Sequence, residues 1–507
     1  MMIAWRTLLQ NLIEGSPLRW LVFSRHRWIL VAVAVLLLAL VSVGGGWLIA
    51  ELGAIPVAVL VAGFVYVIWV LYDLEVAYLG VIAVVALLPF ASLPFSIGFT
   101  PTFLDLTLLS LFGAWLLAFL LSDEQRLVAT PVGGSVLAFA LFAVVAFVAG
   151  LSHGSLTTYL IRHFAETLMS IGIFFLVVNT VQDVGRLGRL VRWLILGTSA
   201  AAALGIVLYL IPEELAIRAL SALGRFGYPT GPGVIWYIRD DPSLMKRATS
   251  TSIHPNVLGS LVNFGIALSI PQLFAKRPVI PKVPLLGLLG ILGGALVLTV
   301  SRSAMLGVAC AVLAISVMRY RTLLPLMAVA VILFLLLPYT QGLVVHFMEG
   351  FQRQDLSTQM RMGEYKDALI LIRRYPVFGV GFSGAPDLDI YVAVASLYLI
   401  IAAQMGLVGL LAFLVVLGMV LWRFWSRRTQ IEAHPDLEPL WFGVHAAIIG
   451  GVVSGIFDHY FFSLDFHNSV TLFWLLVGLA TAATELVDAG VRAREQAHGR
   501  AVGADGG

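Results

Sequence analysis

Residues 394–421, VASLYLIIAAQMGLVGLLAFLVVLGMVL, decide the fold class because the run contains no Asp, Glu, Lys or Arg. A transmembrane helix needs about 20 consecutive, mostly apolar residues to cross the hydrocarbon core of a bilayer. The whole chain has a similar character: 60% of its 507 residues are hydrophobic, 12% are charged, and the mean hydropathy is +0.98. This composition excludes a soluble globular protein, in which about a quarter of the residues are charged.

Comparable apolar segments recur along the chain and predict an all-α, polytopic integral membrane protein with about 14 (12–14) transmembrane helices. The first segment is too long for the apolar region of a cleaved signal peptide, so we expect it to be retained. The predicted spans are 28–50, 54–71, 76–95, 104–121, 131–150, 160–179, 193–211, 253–274, 284–300, 303–318, 322–339, 394–421, 438–457 and 468–486.

The orientation follows from the Lys and Arg residues of the short loops, which favour the cytoplasmic side. These residues fall in alternate loops, so both termini are predicted to be cytoplasmic and the membrane to be the bacterial inner membrane. The predicted segments are a cytoplasmic or interfacial N-terminus (1–27), a single transmembrane domain (28–486) with long outer loops at 212–252 and 340–393, and a disordered cytoplasmic tail (487–507).

Several function classes have no support in the sequence. Cys310 is the only cysteine, so an intrachain disulfide or a cysteine zinc site is excluded. The basic residues are scattered and the net charge is only +3, which does not indicate nucleic-acid binding. Asp387 and Asp389 have no histidine nearby, so neither a metal nor a cofactor is predicted. The spans hold few carboxylates, which argues against an ion-coupled carrier.

Arginines stand at four positions predicted to lie at the outer surface: Arg162, Arg247, Arg302 and Arg361. Arginine beside apolar surface suits bidentate binding of phosphate or carboxylate. A ligand with phosphates at the membrane surface and an apolar body is a lipid-linked pyrophosphate. Simpler interpretations stay open: Arg162 can pair with Glu166, Arg302 can snorkel, and Arg361 can pair with Glu364 or Tyr365.

The outer loops contain two further features. His254 precedes Pro255 and is expected to be extended, while Asn256 is able to cap the helix that follows. The second outer loop is predicted to contain an amphipathic helix that ends before Pro376, with Met362, Leu369 and Ile372 on one face. Gly379 and Gly381 follow it, and glycine permits close approach of the backbone to a ligand.

Three motifs resemble those of the O-antigen ligase and polymerase superfamily, over roughly residues 245–480. The motifs are Arg247 to Gly259 with His254-Pro255-Asn256; Ser301-Arg302-Ser303-Ala304; and Arg361-x-x-x-Tyr365 through Pro376-x-x-Gly379-x-Gly381, followed by Tyr398-Leu399 and Gly406-Leu407-Val408-Gly409.

The resemblance implies a GT-C-like architecture and a metal-independent glycosyltransferase of cell-surface polysaccharide biosynthesis, lipopolysaccharide or exopolysaccharide, without a cofactor. Its donor would be an undecaprenyl-pyrophosphate-linked glycan, and its acceptor a glycan, a lipid or a protein at the outer face. The resemblance implies that Arg162, Arg247, Arg302 and Arg361 bind the pyrophosphate, that Arg302, Arg361 and His254 are catalytic, and that Gly379 and Gly381 form a glycine turn.

The chain departs from the family pattern at the expected catalytic histidine. The family shows His-Asn ahead of the Tyr-Leu pair and a glutamate before the Gly-x-x-Gly, whereas this chain has Ala395, Ser396 and Gln404. Because the histidine is absent, a non-catalytic or transport protein that handles lipid-linked saccharides remains the alternative. The candidate replacements for the base are His254, Asp389, Asp458, His459 and His467.

Overall fold

The structure is a computed structural model that describes residues 27–95, 99–121, 127–336, 341, 356–383 and 394–505. Residues 1–26 of the predicted N-terminal segment and Asp387 to Asp389 lie outside these ranges. The α-helices in these ranges are α1 (Arg27–Leu52), α2 (Ala54–Tyr72), α3 (Leu74–Leu87), α4 (Phe103–Leu120), α5 (Pro131–Gly150), α6 (Thr158–Thr180), α7 (Val184–Leu210), α8 (Glu213–Ser221), α9 (Pro255–Ser269), α10 (Lys282–Thr299), α11 (Arg302–Met318), α12 (Leu323–Leu336), α13 (Leu356–Arg374), α14 (Leu397–Arg427), α15 (Glu438–Ser454) and α16 (His467–Asp505).

The helices confirm the all-α, polytopic membrane class. Within the described ranges, 9 helices are long and apolar enough to cross a membrane: α2, α4, α5, α6, α7, α9 with the 3-10 turn after it, α10, α14 and α16. Shorter apolar helices lie in α1 and form α3, α11, α12 and α15. Every predicted span overlaps one of these helices, while the number of 14 crossings stays a prediction.

The chain divides into two compact units. The first comprises residues 1–81, 91–126 and 225–227, and the second comprises 82–90, 127–224 and 228–507. In the first unit, α4 begins with a capping box, in which Thr102 accepts a hydrogen bond from the Asp105 N–H and Asp105 accepts one from the Thr102 N–H. Asp105 therefore has the helix-capping role that its position in the sequence favours.

The second unit contains the three motifs. Its most buried helices are α9, α15 and the first part of α16, which pack against α6, α10 and α11. The first outer loop adds α8 and a short antiparallel hairpin of β1 (Trp236–Tyr237) and β2 (Lys246–Arg247), in which Trp236 pairs with Arg247. The second outer loop contains α13, which confirms the predicted helix and its end before Pro376.

The side of α13 that packs on the protein is wider than its apolar residues alone suggest. Ala368 and Leu371 are fully buried and Ile372 packs against Leu371, whereas Leu369 is 57% exposed. The polar residues Glu364 and Tyr365 also turn toward the protein, where both make hydrogen bonds. The contact of Leu369 with the membrane surface stays a prediction.

Two helices differ in extent from the sequence prediction. The span predicted at 394–421 is interrupted, because Gly406 in α14 has a φ of 69° and a ψ of −179°. The helix α16 continues to Asp505, through the tail predicted as disordered from residue 487. Residues 489–498, AGVRAREQAH, include several strong helix formers, which explains the continuation.

Candidate functional site

Strained backbone positions lie inside the first motif and directly before the second. Ile253, just before His254, has a φ of 62°, and Val300, just before Ser301, has a φ of 52°. Left-handed backbone at a β-branched residue is a genuine outlier and costs on the order of 1–3 kcal/mol. Such strain persists only where the surrounding contacts enforce it, and it clusters at functional sites. Both motifs are thus held in conformations that local sequence preference disfavours.

Hydrogen bonds from the strand β2 link the first motif to the second. The Arg247 Nε donates to the carbonyl oxygen of Thr299 at 2.9 Å, at the end of α10. The next residue, Ala248, donates its N–H to the Leu298 carbonyl at 2.8 Å. Because Val300 ends α10 in a left-handed turn, these last carbonyls are available to β2.

The buried carboxylate of Asp458 connects all three motifs. It lies in the turn after α15 and is only 3% exposed. Asp458 Oδ1 accepts a hydrogen bond from Asn256 Nδ2 at 3.3 Å and lies 3.5 Å from Arg361 Nη2, while Oδ2 accepts one from the Ser303 hydroxyl. The first, second and third motifs therefore meet at one side chain.

Arg247 extends this network to a second guanidinium. Its Nη2 donates to Asn256 Oδ1 at 2.6 Å, and Asn256 in turn donates to Asp458. We refer to Arg247, Asn256, Arg302, Ser303, Arg361 and Asp458 as the Asp458 site. The sequence predicted Asn256 as a cap of α9, and this prediction is wrong. The cap is the His254 ring, because its Nδ1 accepts the Asn256 N–H at 3.2 Å.

Electrostatics show that the arginines of the Asp458 site act on one another. Burial, with smaller effects of the positive charges of Arg361 and Arg302, lowers the pKa of Arg247 to about 10 against the opposite effects of Tyr460 and Asp458. Burial also disfavours the charge of Arg361, but Asp458 raises its pKa above the ordinary value. The guanidinium groups of Arg247 and Arg361 are therefore charged at pH 7. Arg302 and Arg361 both lie close enough to Arg247 to act on its charge, while Asp458 and Glu364 act on Arg361.

His254 is held as a neutral ring. Burial, followed by the charge of Arg247, lowers the pKa of His254 to about 3. Its Nδ1 accepts the Asn256 N–H and lies 3.0 Å from the hydroxyl of Tyr460, and the Trp236 ring lies edge-on at 4.6 Å between centroids. An imidazole with these contacts is a poor proton acceptor near neutral pH, so the geometry favours a positioning role.

We expect the low pKa of His254 to appear in the pH dependence of stability. The unfolded chain takes up a proton at this residue below about pH 6.5, whereas the folded protein does not until about pH 3. Stability is therefore complete above pH 6.5 and is lost as the pH falls from 6.5 toward 3, by about 2 kcal/mol between pH 7 and pH 5. The His254→Asn variant keeps a capping side chain but does not titrate. Thermal unfolding at the two pH values should show a smaller acid loss in the variant; an equal loss contradicts the assignment.

Ala395 is the residue predicted to replace the family histidine. Its backbone is hydrogen-bonded to α13 through both the N–H and the carbonyl group. Its N–H donates to Glu364 Oε2 at 2.9 Å, and its carbonyl oxygen accepts the Tyr365 hydroxyl at 3.0 Å. Burial raises the pKa of Glu364 above its ordinary value. The next-but-one residue, Leu397, donates its N–H to the carbonyls of Gly455 and Asp458. Position 395 is therefore bonded to the turn of α13 that follows Arg361, and it lies two residues before a backbone bond to Asp458, beside the Asp458 site.

The glycine turn at Gly379 and Gly381 contacts protein backbone. Both residues have positive φ, 67° and 75°. A Cβ at Gly379 would overlap the backbone of Gln404, and one at Gly381 would overlap Gly150. The N–H groups of Val380 and Gly381 donate to the Ala403 and Gln404 carbonyls, both at 2.9 Å. The sequence predicted close approach of this backbone to a ligand, whereas the structure shows close approach to the backbone of α14 and α5. In α14 the break at Gly406 leaves carbonyl groups that need hydrogen-bond donors.

Alanine at Gly379 should destabilise the protein strongly. The positive φ costs about 1–3 kcal/mol for a residue with a Cβ, and the overlap adds a similar amount. Gly363 in α13 is the matched control, because a Cβ there meets no atom within 4 Å. We expect Gly363→Ala to be neutral or to stabilise by roughly 0.5–1 kcal/mol. The two variants are compared by yield of folded protein and by thermal unfolding in detergent, and similar values for both would contradict the prediction.

Arg162 lies in a different set of contacts. Its Nε is 2.7 Å from Glu166 Oε1, and the other carboxylate oxygen of Glu166 is 3.1 Å from His163 Nδ1 and 3.7 Å from His467 Nδ1. The pairing with Glu166, left open by the sequence, is present. Of the four arginines assigned to one ligand, Arg247, Arg302 and Arg361 share the Asp458 site, and Arg162 pairs with Glu166.

Comparison with known families identifies part of this arrangement. Residues 287–414 match the family model of O-antigen ligase. The resemblance to the O-antigen ligase superfamily is confirmed. The match runs from α10 into α14 and so includes Arg302, Arg361, the glycine turn and Ala395. No curated protein matches the chain.

Three residues of the Asp458 site lie outside the O-antigen ligase match, on both sides of it: Arg247, Asn256 and Asp458. His254 also lies outside the match. The sequence named Asp458 only as one of five possible bases and did not single out Trp236 or Tyr460. A usable signal was present, because Asp458 is the first charged residue after Glu438, across α15. A carboxylate at the end of such a span is costly unless it is paired.

Proposed function

We propose that the protein transfers a glycan from an undecaprenyl-pyrophosphate-linked donor to an acceptor at the outer face of the cytoplasmic membrane. The observation that carries the proposal is the grouping of Arg247 and Arg361 at the buried Asp458, with Arg302 near enough to act on the charge of Arg247. The O-antigen ligase match, which covers two of these arginines, supports the same reaction class.

The charge of the Asp458 site suits a pyrophosphate. Arg361 and Arg247 are each connected to Asp458, directly or through Asn256, so their guanidinium groups are oriented before a ligand arrives. Arg302 and Arg361 both act on the charge of Arg247, and such a grouping of guanidinium groups favours an anionic ligand. Guanidinium groups form paired hydrogen bonds to phosphate oxygens, which a lysine cannot do.

The chemistry is a substitution at the anomeric carbon of the donor sugar. A hydroxyl oxygen of the acceptor forms a bond to that carbon, the bond from the carbon to the phosphate oxygen breaks, and its electron pair leaves with the lipid pyrophosphate. The proton of the acceptor hydroxyl passes to water at the membrane surface, so that atoms and charge balance. Negative charge grows on the leaving group, so preorganised arginines stabilise the transition state more than the ground state.

In this proposal Arg302 and Arg361 are the catalytic residues and Arg247 binds the same anion. His254 positions Asn256 and thereby Arg247, because its ring holds the Asn256 N–H. Asp458 positions Arg361 through an ion pair and Arg247 through Asn256. Both of its oxygens are engaged in these contacts and in the hydrogen bond from Ser303. The weakly basic pyrophosphate leaves readily, so the loss of the family histidine at Ala395 is compatible with activity.

The proposed location rests on the two ends of the second unit. The Asp458 site lies where α9, α11 and α14 begin. The charge pattern of the short loops predicts that Arg319 and Arg423 are cytoplasmic. They lie at the other ends of α11 and α14, where Arg319 pairs with Glu438 and Arg423 pairs with Glu485 and Asp488. We propose that the first end faces outward and that both termini are cytoplasmic.

The experiment is reconstitution of the purified protein with membranes of the producing cell from which the gene has been deleted. Those membranes supply both the lipid-linked donor and the acceptor. We expect transfer by the native protein and a loss of at least about 10²-fold in Arg302→Gln. Arg277→Gln is the control, because Arg277 is 85% exposed and only loosely paired with Asp436. Full activity of Arg302→Gln would refute the proposal.

The runner-up is a protein that binds or moves lipid-linked saccharide without reacting, favoured by Ala395 at the family histidine position. In the same experiment it predicts that the donor binds but that no transferred product forms. Product formation by the purified protein excludes a purely non-catalytic role.

A further inference from the structure

A second group of polar and aromatic side chains lies where α6 and α16 begin. The Tyr159 hydroxyl donates to Asp465 Oδ1, and the Tyr159 ring packs against His163 with 4.1 Å between centroids. His163 Nδ1 also lies 3.0 Å from the Leu464 carbonyl oxygen. We call Tyr159, Arg162, His163 and Asp465 the Tyr159 cluster. Its tyrosine is 55% exposed, so one aromatic face is open to a ligand.

Glu166 holds the Tyr159 cluster in place from its buried side. Its carboxylate is only 2% exposed and pairs with the Arg162 Nε at 2.7 Å and with the His163 Nδ1 at 3.1 Å. A buried carboxylate needs such partners, because an unpaired charge there is expensive. The ring of Tyr159 and the guanidinium of Arg162 are therefore held in place before any ligand binds, which reduces the entropy cost of binding.

The Tyr159 cluster adjoins the Asp458 site. The segment between α15 and α16 carries Asp458, His459 and Tyr460 at one end and Asp465 at the other. The Phe466 ring connects the two, with centroids 4.7 Å from Tyr460 and 6.0 Å from His459. A molecule seated on Tyr159 would thus be next to one held by Arg361 and Arg247.

The charge of the Tyr159 cluster differs from that of the Asp458 site. Here one guanidinium, Arg162, pairs with the carboxylate of Glu166, and a second carboxylate, Asp465, accepts the hydrogen bond of Tyr159. This balance disfavours a second pyrophosphate and favours a ligand rich in hydroxyl groups. A pyranose ring offers C–H groups on its face, which pack on an aromatic ring, and hydroxyls at its edge, which bind carboxylate and guanidinium.

We propose that the Tyr159 cluster binds the acceptor as a saccharide, with a sugar ring on Tyr159 and its hydroxyls on Asp465 and Arg162. This assignment rests on the proposed function, and it removes Arg162 from the pyrophosphate-binding set. It places the acceptor on the α6 side of the Asp458 site, with His459 and Phe466 between the two subsites.

The test separates acceptor binding from donor binding in protein embedded in nanodiscs. The acceptor probe is the glycolipid and polysaccharide fraction of membranes of the producing cell, freed of lipid pyrophosphates, and the donor-site probe is inorganic pyrophosphate. For Tyr159→Ala we expect the KM for the acceptor fraction to rise at least tenfold, with kcat and the Kd for pyrophosphate within twofold of the native values. Tyr159→Phe keeps the ring and should show a smaller rise.

The control is Tyr72→Ala, which removes another exposed tyrosine, 50% exposed at the end of α2. An unchanged KM in Tyr159→Ala overturns the proposal, and so does an equal loss of pyrophosphate affinity, which marks a general folding defect. If the native protein transfers nothing, direct binding of the acceptor fraction decides. Binding that Tyr159→Ala loses supports the saccharide site and refutes the transfer, whereas equal binding refutes the saccharide site.

Discussion

Replacing Arg361 by glutamine should lower kcat for glycan transfer by about 10²–10³-fold, the usual effect of removing one charge-stabilising group from an active site. Arg361 stands at the start of α13 with its Nη2 3.5 Å from Asp458, and Ala395 is bonded to the next turn of the same helix. Glutamine keeps much of the length and polarity but loses the charge that the leaving pyrophosphate needs. The measurement is the initial rate with saturating native donor in membranes.

Two further variants make the Arg361 result specific. Arg361→Lys restores the charge without the planar pair of donors and should fall between the native protein and the glutamine variant. Arg373→Gln removes an exposed arginine from the last turn of the same helix and should leave the rate unchanged. A rate in Arg361→Gln within threefold of the native one would remove Arg361 from the mechanism.

Replacing Asp458 by alanine should cost about 3–5 kcal/mol of stability, the effect of breaking a buried ion pair by removing one partner. The Ser303 hydroxyl and the Asn256 amide lose their acceptor, and Arg361 loses its ion-pair partner beside the charge of Arg247. Asp458→Asn preserves the shape and one acceptor, so it should cost less. The midpoint of thermal unfolding measures both, with the exposed Asp241 replaced by alanine as control.

A double variant shows whether the stability lost at Asp458 is electrostatic. In Asp458→Asn combined with Arg361→Gln, the excess positive charge is reduced again, so the double variant should be more stable than the sum of the single effects predicts. Additive losses would mean that Asp458 acts through packing and hydrogen bonding alone.

The helices of the second unit could be predicted from the sequence because apolar length alone determines a membrane span. The helix α13 was also predictable, but its orientation was not. Leu369 satisfied the expected apolar face, yet the helix turns Glu364 and Tyr365 inward to bond with Ala395, a residue 30 positions further along the chain. Contacts of this kind are set by the tertiary structure and leave no local pattern.

The Asp458 site was partly predictable for a similar reason. The three arginines of the site could be predicted as ligand-binding residues from their residue type and position. For Arg302 the reason is that the short turn between two spans does not require an arginine. Arg162 belongs to a different set of contacts because each arginine is placed by the carboxylate with which it pairs. Glu166 lies four residues from Arg162 and could be named from helical spacing, whereas Asp458 lies 97 residues from Arg361 and could not. The positive φ of Ile253 and Val300 contradicts their residue preferences, so no local rule predicts it.

The break at Gly406 is expected to divide α14 into a part that crosses the membrane and a shorter part that lies outside the hydrocarbon core. Leu407 to Arg427 comprises 21 residues, and at about 1.5 Å per residue this gives roughly 31 Å, the thickness of the hydrocarbon core. Leu397 to Met405 is fastened to the segment after α13 by Val380 and Gly381. The bilayer surface is therefore expected near Gly406, so that Ala395 and Arg361 stand about one short helix above it. A lipid-linked pyrophosphate would have to rise out of the headgroup region to reach them.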